Sequence, residues 1–99
     1  MKEYIFNQFV ENILAHTSLT KEELFENTRK SEVSLARKFL YKLCIDRGMT
    51  IRTIVSYMIK NDFNCFDMTI HQGISSLEKM RETDSDLGII FNKLSNVEA

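Results

Sequence analysis

The side chains with the most evident chemistry are basic residues in the middle third of the chain. Residues 28–60 hold eight basic and two acidic residues, a net charge of +6, whereas residues 1–27 carry −3, residues 61–99 carry −4 and the whole chain carries −1. Clustered lysine and arginine neutralise phosphates, so this asymmetry predicts a nucleic-acid partner, with a solvated helix surface as the alternative. The cations predicted to contact DNA are Arg29, Lys30, Arg37, Lys38, Lys42 and Arg52.

A second polar group follows in the stretch DMTIHQ. It consists of Asp67, Met68, Thr69, His71 and Gln72. The glutamine amide can pair with adenine in the major groove, and the shorter polar groups suit other base edges. We predict base contacts here. Two alternatives stay open: a helix start that is merely exposed, and a histidine that caps a carbonyl at the edge of the core.

Other chemistry has little support in the sequence. Cys65 and His71 lie six residues apart, but a zinc site needs about four ligands. Acyl transfer by the same pair would need an orienting carboxylate and an oxyanion hole. Asp84 and Asp86 fit the start of a helix better than acid–base catalysis. We therefore expect no enzymatic activity, no metal, no cofactor and no small-molecule substrate.

Apolar residues recur at three- and four-residue steps and predict an all-α fold of about six helices, in a single domain spanning residues 1–99. The absence of proline and the presence of only three glycines agree with this. The predicted helices span residues 3–16, 20–26, 31–47, 50–60, 67–82 and 84–95. Thr20 and Glu23 form a capping box, and Gly48 is suited to a left-handed helix end. The predicted N-caps of the third, fourth and fifth helices are Ser31 or Ser34, Thr50, and Asp67.

The third helix is predicted to bury one face and to leave its basic residues mostly outside. The inward residues are Val33, Ala36, Phe39, Leu40, Leu43 and Cys44. The outward residues are Arg37, Lys38, Lys42 and Arg47. The fourth and fifth helices, separated by residues 61–66, have the connectivity of a helix-turn-helix, whose later helix enters the major groove.

Localisation follows from three features of the sequence. No apolar run approaches a membrane span, and Glu3 interrupts the apolar start, which therefore does not resemble a signal peptide. Cys44 and Cys65 fit no disulfide framework. We expect a cytoplasmic, nucleoid-associated protein with reduced thiols and no membrane partner.

The segments SLARKFLYKL, TIRTIVSYM and TIHQGISSLEKM, followed by RETDSDLGIIFNKLSN, resemble the C-terminal DNA-binding domain of the bacterial replication initiator DnaA. The resemblance extends from about Phe9 to Ser95 and covers helix order and lengths. It implies a Trp-repressor-like helix-turn-helix bundle. The initiator's ATPase module has no counterpart, because no phosphate-loop motif occurs, so a stand-alone domain is expected.

The resemblance also assigns individual residues. The family's minor-groove arginine falls on Arg29, and its phosphate-contacting arginine falls on Arg37. The polar residue that follows falls on Lys38, and the histidine of the recognition helix falls on His71. The family opens that helix with an Asp-His-Thr-Thr or Asp-His-Ser-Thr run, which Cys65-Phe66-Asp67-Met68 replaces here. We expect the fold to be shared and the base specificity to differ.

The function expected from the sequence is double-stranded DNA binding, in a replication or regulatory accessory. The alternative is a protein-interaction module that kept the fold and lost base reading. The alternative is motivated by the altered signature, by the acidic Asp62 and Asp67, and by an exposed Phe63 or Phe66 in the turn. An exposed aromatic residue is suited to anchor a protein partner.

Overall fold

The computed structural model describes residues 2–28 and 30–95, which form six α-helices and no strand. The helices are α1 (Lys2–Thr17), α2 (Lys21–Leu24), α3 (Ser31–Asp46), α4 (Ile51–Lys60), α5 (Asp67–Thr83) and α6 (Ser85–Leu94). The predicted all-α class is confirmed, and each predicted helix is present within about two residues of its expected ends. None of these helices combines the length and the apolar character required to cross a membrane.

Helix α3 lies at the centre of the bundle and packs against each of the other five helices. All six of its predicted inward residues are buried. Leu40 and Cys44 are completely enclosed, beside Ile13 of α1, Leu24 of α2 and Ile70 of α5 in one continuous core. A displacement of α3 would therefore disturb its interfaces with all five other helices at once.

Local hydrogen bonds fix several helix starts where the sequence places them. The Thr20 hydroxyl accepts from the Glu23 amide at 3.1 Å, while Glu23 accepts from the Thr20 amide at 2.9 Å. This reciprocal pair lowers the pKa of Glu23, because its charged form accepts the hydrogen bonds. Thr50 caps α4 through the Thr53 amide, and Asp84 caps α6 through the Asp86 amide.

Two predicted caps are wrong. Neither Ser31 nor Ser34 caps α3, because Lys30 occupies the cap position and makes no side-chain cap bond. Asp67 is the first helical residue of α5 rather than its cap, which is Phe66. The Thr69 hydroxyl accepts from the Phe66 amide at 3.3 Å, and the Asp67 carboxylate favours the positive end of the helix. The N-cap of α5 thus lies one residue earlier in the chain than predicted.

Two glycines have distinct roles in the bundle. Gly48 follows α3 with a φ of +96°, the left-handed conformation predicted for it. Gly73 instead lets α5 approach α3 closely, because a Cβ built there would lie 2.8 Å from Cδ2 of Tyr41. The Tyr41 ring is itself buried, so it has little freedom to move away.

This contact predicts opposite effects for two glycine-to-alanine changes. Gly73→Ala should lower the free energy of unfolding by about 1–3 kcal/mol, because overpacking outweighs the better helix propensity of alanine. Gly88→Ala is the matched control within α6, where nothing lies within 4 Å of the added Cβ. It should raise the free energy of unfolding by about 0.5–1 kcal/mol. Urea unfolding of both variants checks this, and equal stability would contradict the assigned contact.

Candidate nucleic-acid interface

The first half of α5 presents a polar face to solvent. Ile70, Gly73 and Leu77 are turned into the core. The exposed residues of its first three turns recur at the complementary helical positions; they are Asp67, Met68, His71, Gln72 and Ser75, and both Glu78 and Lys79 are exposed one turn further on. Met68, with 63% of its surface exposed, is the one large apolar residue among them. The face is therefore available to a ligand and carries varied hydrogen-bonding groups.

A groove of about 330 Å³ runs beside this face, between α3 and α5. Lys38 lines it from α3, while Thr69, Gln72 and Ser76 line it from α5. The close approach at Gly73 forms its floor, together with the ring of Tyr41. Lys38 thus lies next to the polar face of α5.

The turn before α5 is anchored at alternate residues. Phe63 and Cys65 are buried, whereas Asn64 and Phe66 are exposed, as expected for an extended segment with period two. Burial raises the pKa of the Cys65 thiol, which lies beside the hydroxyl of Tyr41. Phe66 is left 63% exposed immediately before the polar face. The two buried anchors hold the start of α5 in place.

Arg37 lies inside the molecule, with 8% of its surface exposed. Its Nη1 donates to the carbonyl oxygens of Leu24 and Glu26, both at 3.0 Å, and its Nη2 donates to the Thr28 carbonyl at 2.9 Å. The guanidinium carbon lies 4.6 Å from the centroid of the Phe63 ring. Burial lowers the pKa of Arg37, but arginine stays protonated at physiological pH.

The surface position predicted for Arg37 is therefore wrong. A guanidinium group surrounded by carbonyl oxygens and an aromatic ring is committed to the protein interior, so the phosphate contact expected from the resemblance is replaced by a structural role. Lys42 is also engaged, since its Nζ lies 3.2 Å from Asp46 and 3.0 Å from Glu78. The latter pair joins α3 to α5. Arg37 and Lys38 both line the groove, but the Arg37 guanidinium is already bonded to carbonyl oxygens. Of the predicted cations Arg37, Lys38 and Lys42, Lys38 is therefore the one with neither an ion pair nor a side-chain hydrogen bond among the described residues.

The other cations predicted to contact DNA are Arg29, Lys30 and Arg52. Arg29 lies outside the described residues. Lys30 is exposed at the end of the connector between α2 and α3. Arg52 is exposed in the first turn of α4, away from the residues that line the groove. The structure thus brings Lys38 next to Thr69 and Gln72, whereas Lys30 and Arg52 are exposed and do not line the groove.

Two buried residues of this region, Tyr41 and Phe63, were not predicted from the sequence to face inward. Tyr41 is buried on α3, and its hydroxyl has no hydrogen-bond partner among the described residues. Phe63 or Phe66 was expected to be exposed; Phe66 is the exposed one, and Phe63 is buried beneath Arg37. Helical spacing gives a signal for the first, because Tyr41 lies four residues after Arg37 and both follow Val33 on one face.

No group of three or more potential metal ligands occurs within residues 2–28 and 30–95. The chain was compared with protein-family models, curated proteins and solved structures, and none of the three comparisons yielded a match. Inference about its role therefore rests on the residues themselves.

The role of Arg37 predicts a large stability effect from a residue expected at the surface. Arg37→Met should lower the free energy of unfolding by about 2–4 kcal/mol, because the carbonyl groups lose their charged donor. Arg52→Met removes the same charge from an exposed site and should change stability by less than about 0.5 kcal/mol. Chemical denaturation of both variants provides the comparison. A loss below about 1 kcal/mol in Arg37→Met would show that the buried hydrogen bonds contribute little.

Proposed function

We propose that this protein binds double-stranded DNA, with α4, residues 61–66 and α5 acting as a helix-turn-helix and α5 entering the major groove. The observation that carries the proposal is the exposed polar face of α5 beside the Lys38 groove. An α-helix fits the width of the major groove, and a long helix that is buried on one side is a rigid reading element. A Trp-repressor-like bundle, the arrangement implied by the resemblance to the DnaA domain, belongs to this proposal.

Base reading is assigned to the first three turns of α5. Gln72 is suited to adenine, and the Asp67 carboxylate is suited to the amino group of cytosine. His71, Thr69 and Met68 complete the reading surface. These differ from the residues of the DnaA signature, so we expect a different target sequence.

Phosphate contacts are assigned to cations around that face. Lys38 borders the groove, and Lys79 lies two turns along the same exposed side of α5. Lys30 and Arg52 are the outer candidates, with Arg29 retained from the sequence. Such contacts fix register on the duplex and carry no sequence information by themselves. A role as a replication or regulatory accessory, associated with the nucleoid, follows from the resemblance.

A protein-interaction module is the second candidate, favoured by one observation. Phe66 and Met68 are each 63% exposed and flank the first residue of α5. Exposed large apolar side chains of this kind anchor protein partners. In this alternative the same helix start would contact a protein instead of a duplex.

Affinity for duplex DNA across a salt series tests the proposal. A pool of random duplexes should yield a preferred site, and the logarithm of the association constant should fall with the logarithm of salt concentration. Lys38→Ala should reduce the steepness of that fall by about one. Lys21→Ala removes the same charge from α2, outside the groove, and should leave the slope unchanged. No binding at about 50 mM salt would reject the proposal in favour of the protein-interaction module.

A second experiment tests base specificity on the DNA sequence selected from the random duplexes. Gln72→Ala should reduce discrimination at one base pair by about 1–3 kcal/mol while leaving the salt slope unchanged. Ser85→Ala, at the start of α6, is the control for an exposed polar residue. Binding titrations against single-base variants of the site measure both quantities. Equal losses on every sequence would contradict base reading by Gln72.

A further inference from the structure

The buried guanidinium of Arg37 contacts two segments, each of which leads to a residue of the proposed interface. On one side is the stretch from Leu24, the last residue of α2, into the connector before α3, of which the structure describes residues 25–28 and Lys30. The carbonyls of Leu24, Glu26 and Thr28 alternate along this stretch and converge on the same guanidinium. The Lys30 amide donates to the Thr28 hydroxyl at 3.4 Å, so the backbone of Lys30 is tied to Arg37 through Thr28.

On the other side is the turn that leads into α5. The Phe63 ring lies under the guanidinium, and the Phe63 amide donates to the Met58 carbonyl of α4 at 3.0 Å. Cys65 follows as the next buried residue, and α5 begins two residues later. The position of α5 relative to α3 is therefore tied to the same side chain that holds the connector.

We propose that Arg37 and Phe63 are positioning residues that couple the connector to α5, so that the contacts of Lys30 and Gln72 with a duplex form cooperatively. This inference rests on the proposed DNA-binding function. Neither positioning residue touches DNA. A planar group with five donors can hold several carbonyls in fixed directions and stack on a ring at the same time, which a lysine cannot do.

The physical reason for cooperativity is the fixed distance between the two segments. A connector held rigidly to α5 can place Lys30 at its phosphate only when α5 sits in its own register in the groove. If Gln72 is removed and that register loosens, the benefit of Lys30 falls as well. A connector that is free of α5 would reach a phosphate in either case, and the two contributions would be independent.

A double-mutant cycle on duplex affinity measures this coupling. Lys30→Ala, Gln72→Ala and the double variant are titrated against the selected duplex, first in the wild-type background. The affinity of the double variant should be at least about threefold higher than the product of the single losses predicts. In the Phe63→Leu background, which keeps an apolar side chain but removes the ring under Arg37, the losses should multiply.

The chain offers a matched control for the ring removal. Arg81 lies 4.8 Å from the centroid of the Phe91 ring, and Phe91 is as buried as Phe63. Phe91→Leu therefore removes a similar arginine–aromatic contact away from the turn, and the coupling should persist in that background. If Phe63→Leu does not fold, Phe63→Met takes its place.

The possible outcomes are distinct. If the affinity losses of Lys30→Ala and Gln72→Ala multiply in the wild-type background, the inference is overturned, although the proposal of DNA binding is unaffected. Coupling that persists in Phe63→Leu, or that disappears equally in Phe91→Leu, would also overturn it. A wild-type protein that binds no duplex would reject the proposed function itself, and the inference would fall with it.

Discussion

A positive charge enclosed by backbone carbonyls is the constraint on which the arrangement of this protein depends. The Arg37 guanidinium has left water almost completely, and its desolvation is tolerated only because three carbonyl oxygens and an aromatic face surround it. Those carbonyls belong to Leu24, the last residue of α2, and to Glu26 and Thr28 beyond it, where backbone acceptors lack helical partners. The guanidinium thus supplies donors to these carbonyl oxygens, and the carbonyl oxygens compensate for the desolvation of the guanidinium.

This arrangement explains how a small bundle can hold an irregular connector and a turn in fixed positions. Helix α3 contacts every other helix, so a side chain on it can reach segments that are distant in sequence. The basic residues of α3 have three different structural roles. Arg37 holds the connector and the turn, Lys42 pairs with Glu78 to join α3 to α5, and Lys38 lines the groove. The sequence predicts one basic face, whereas in the structure Arg37 is buried, Lys42 forms an ion pair between helices, and Lys38 lines the groove.

Much of the fold could be predicted because it depends on local rules. Helical periodicity placed the buried residues of α3, and hydrogen bonds within four residues determined the caps at Thr20, Thr50 and Asp84. The error at Asp67 is of the same local kind, since Phe66 has no side-chain acceptor and Thr69 supplies the bond from within the helix. Aspartate was predicted as the N-cap because it is common at that position, but the cap of α5 is the preceding residue, Phe66.

The site was less predictable because its key interactions are tertiary. Arginine is rarely buried, so Arg37 was placed outside although Val33, Leu40 and Cys44 share its face of the helix. Only the convergence of carbonyls nine to thirteen residues away makes the inward position favourable. The sequence left open whether Phe63 or Phe66 is exposed for the same reason, because the burial of Phe63 depends on its contact with Arg37. Exposed positions such as Met68 and Gln72 followed correctly from the helix pattern, since no distant partner covers them.

The most direct test of this account observes the Arg37 side chain itself by nitrogen-15 NMR. A guanidinium held by three carbonyls should show separate Nη resonances, with slow rotation and slow exchange with water, and these signals should vanish in Arg37→Lys. Thr28, whose carbonyl accepts one of the bonds, should then show the loss in its amide environment as well. A single averaged Nη signal that exchanges as fast as that of the exposed Arg52 would contradict the central role assigned to this buried charge.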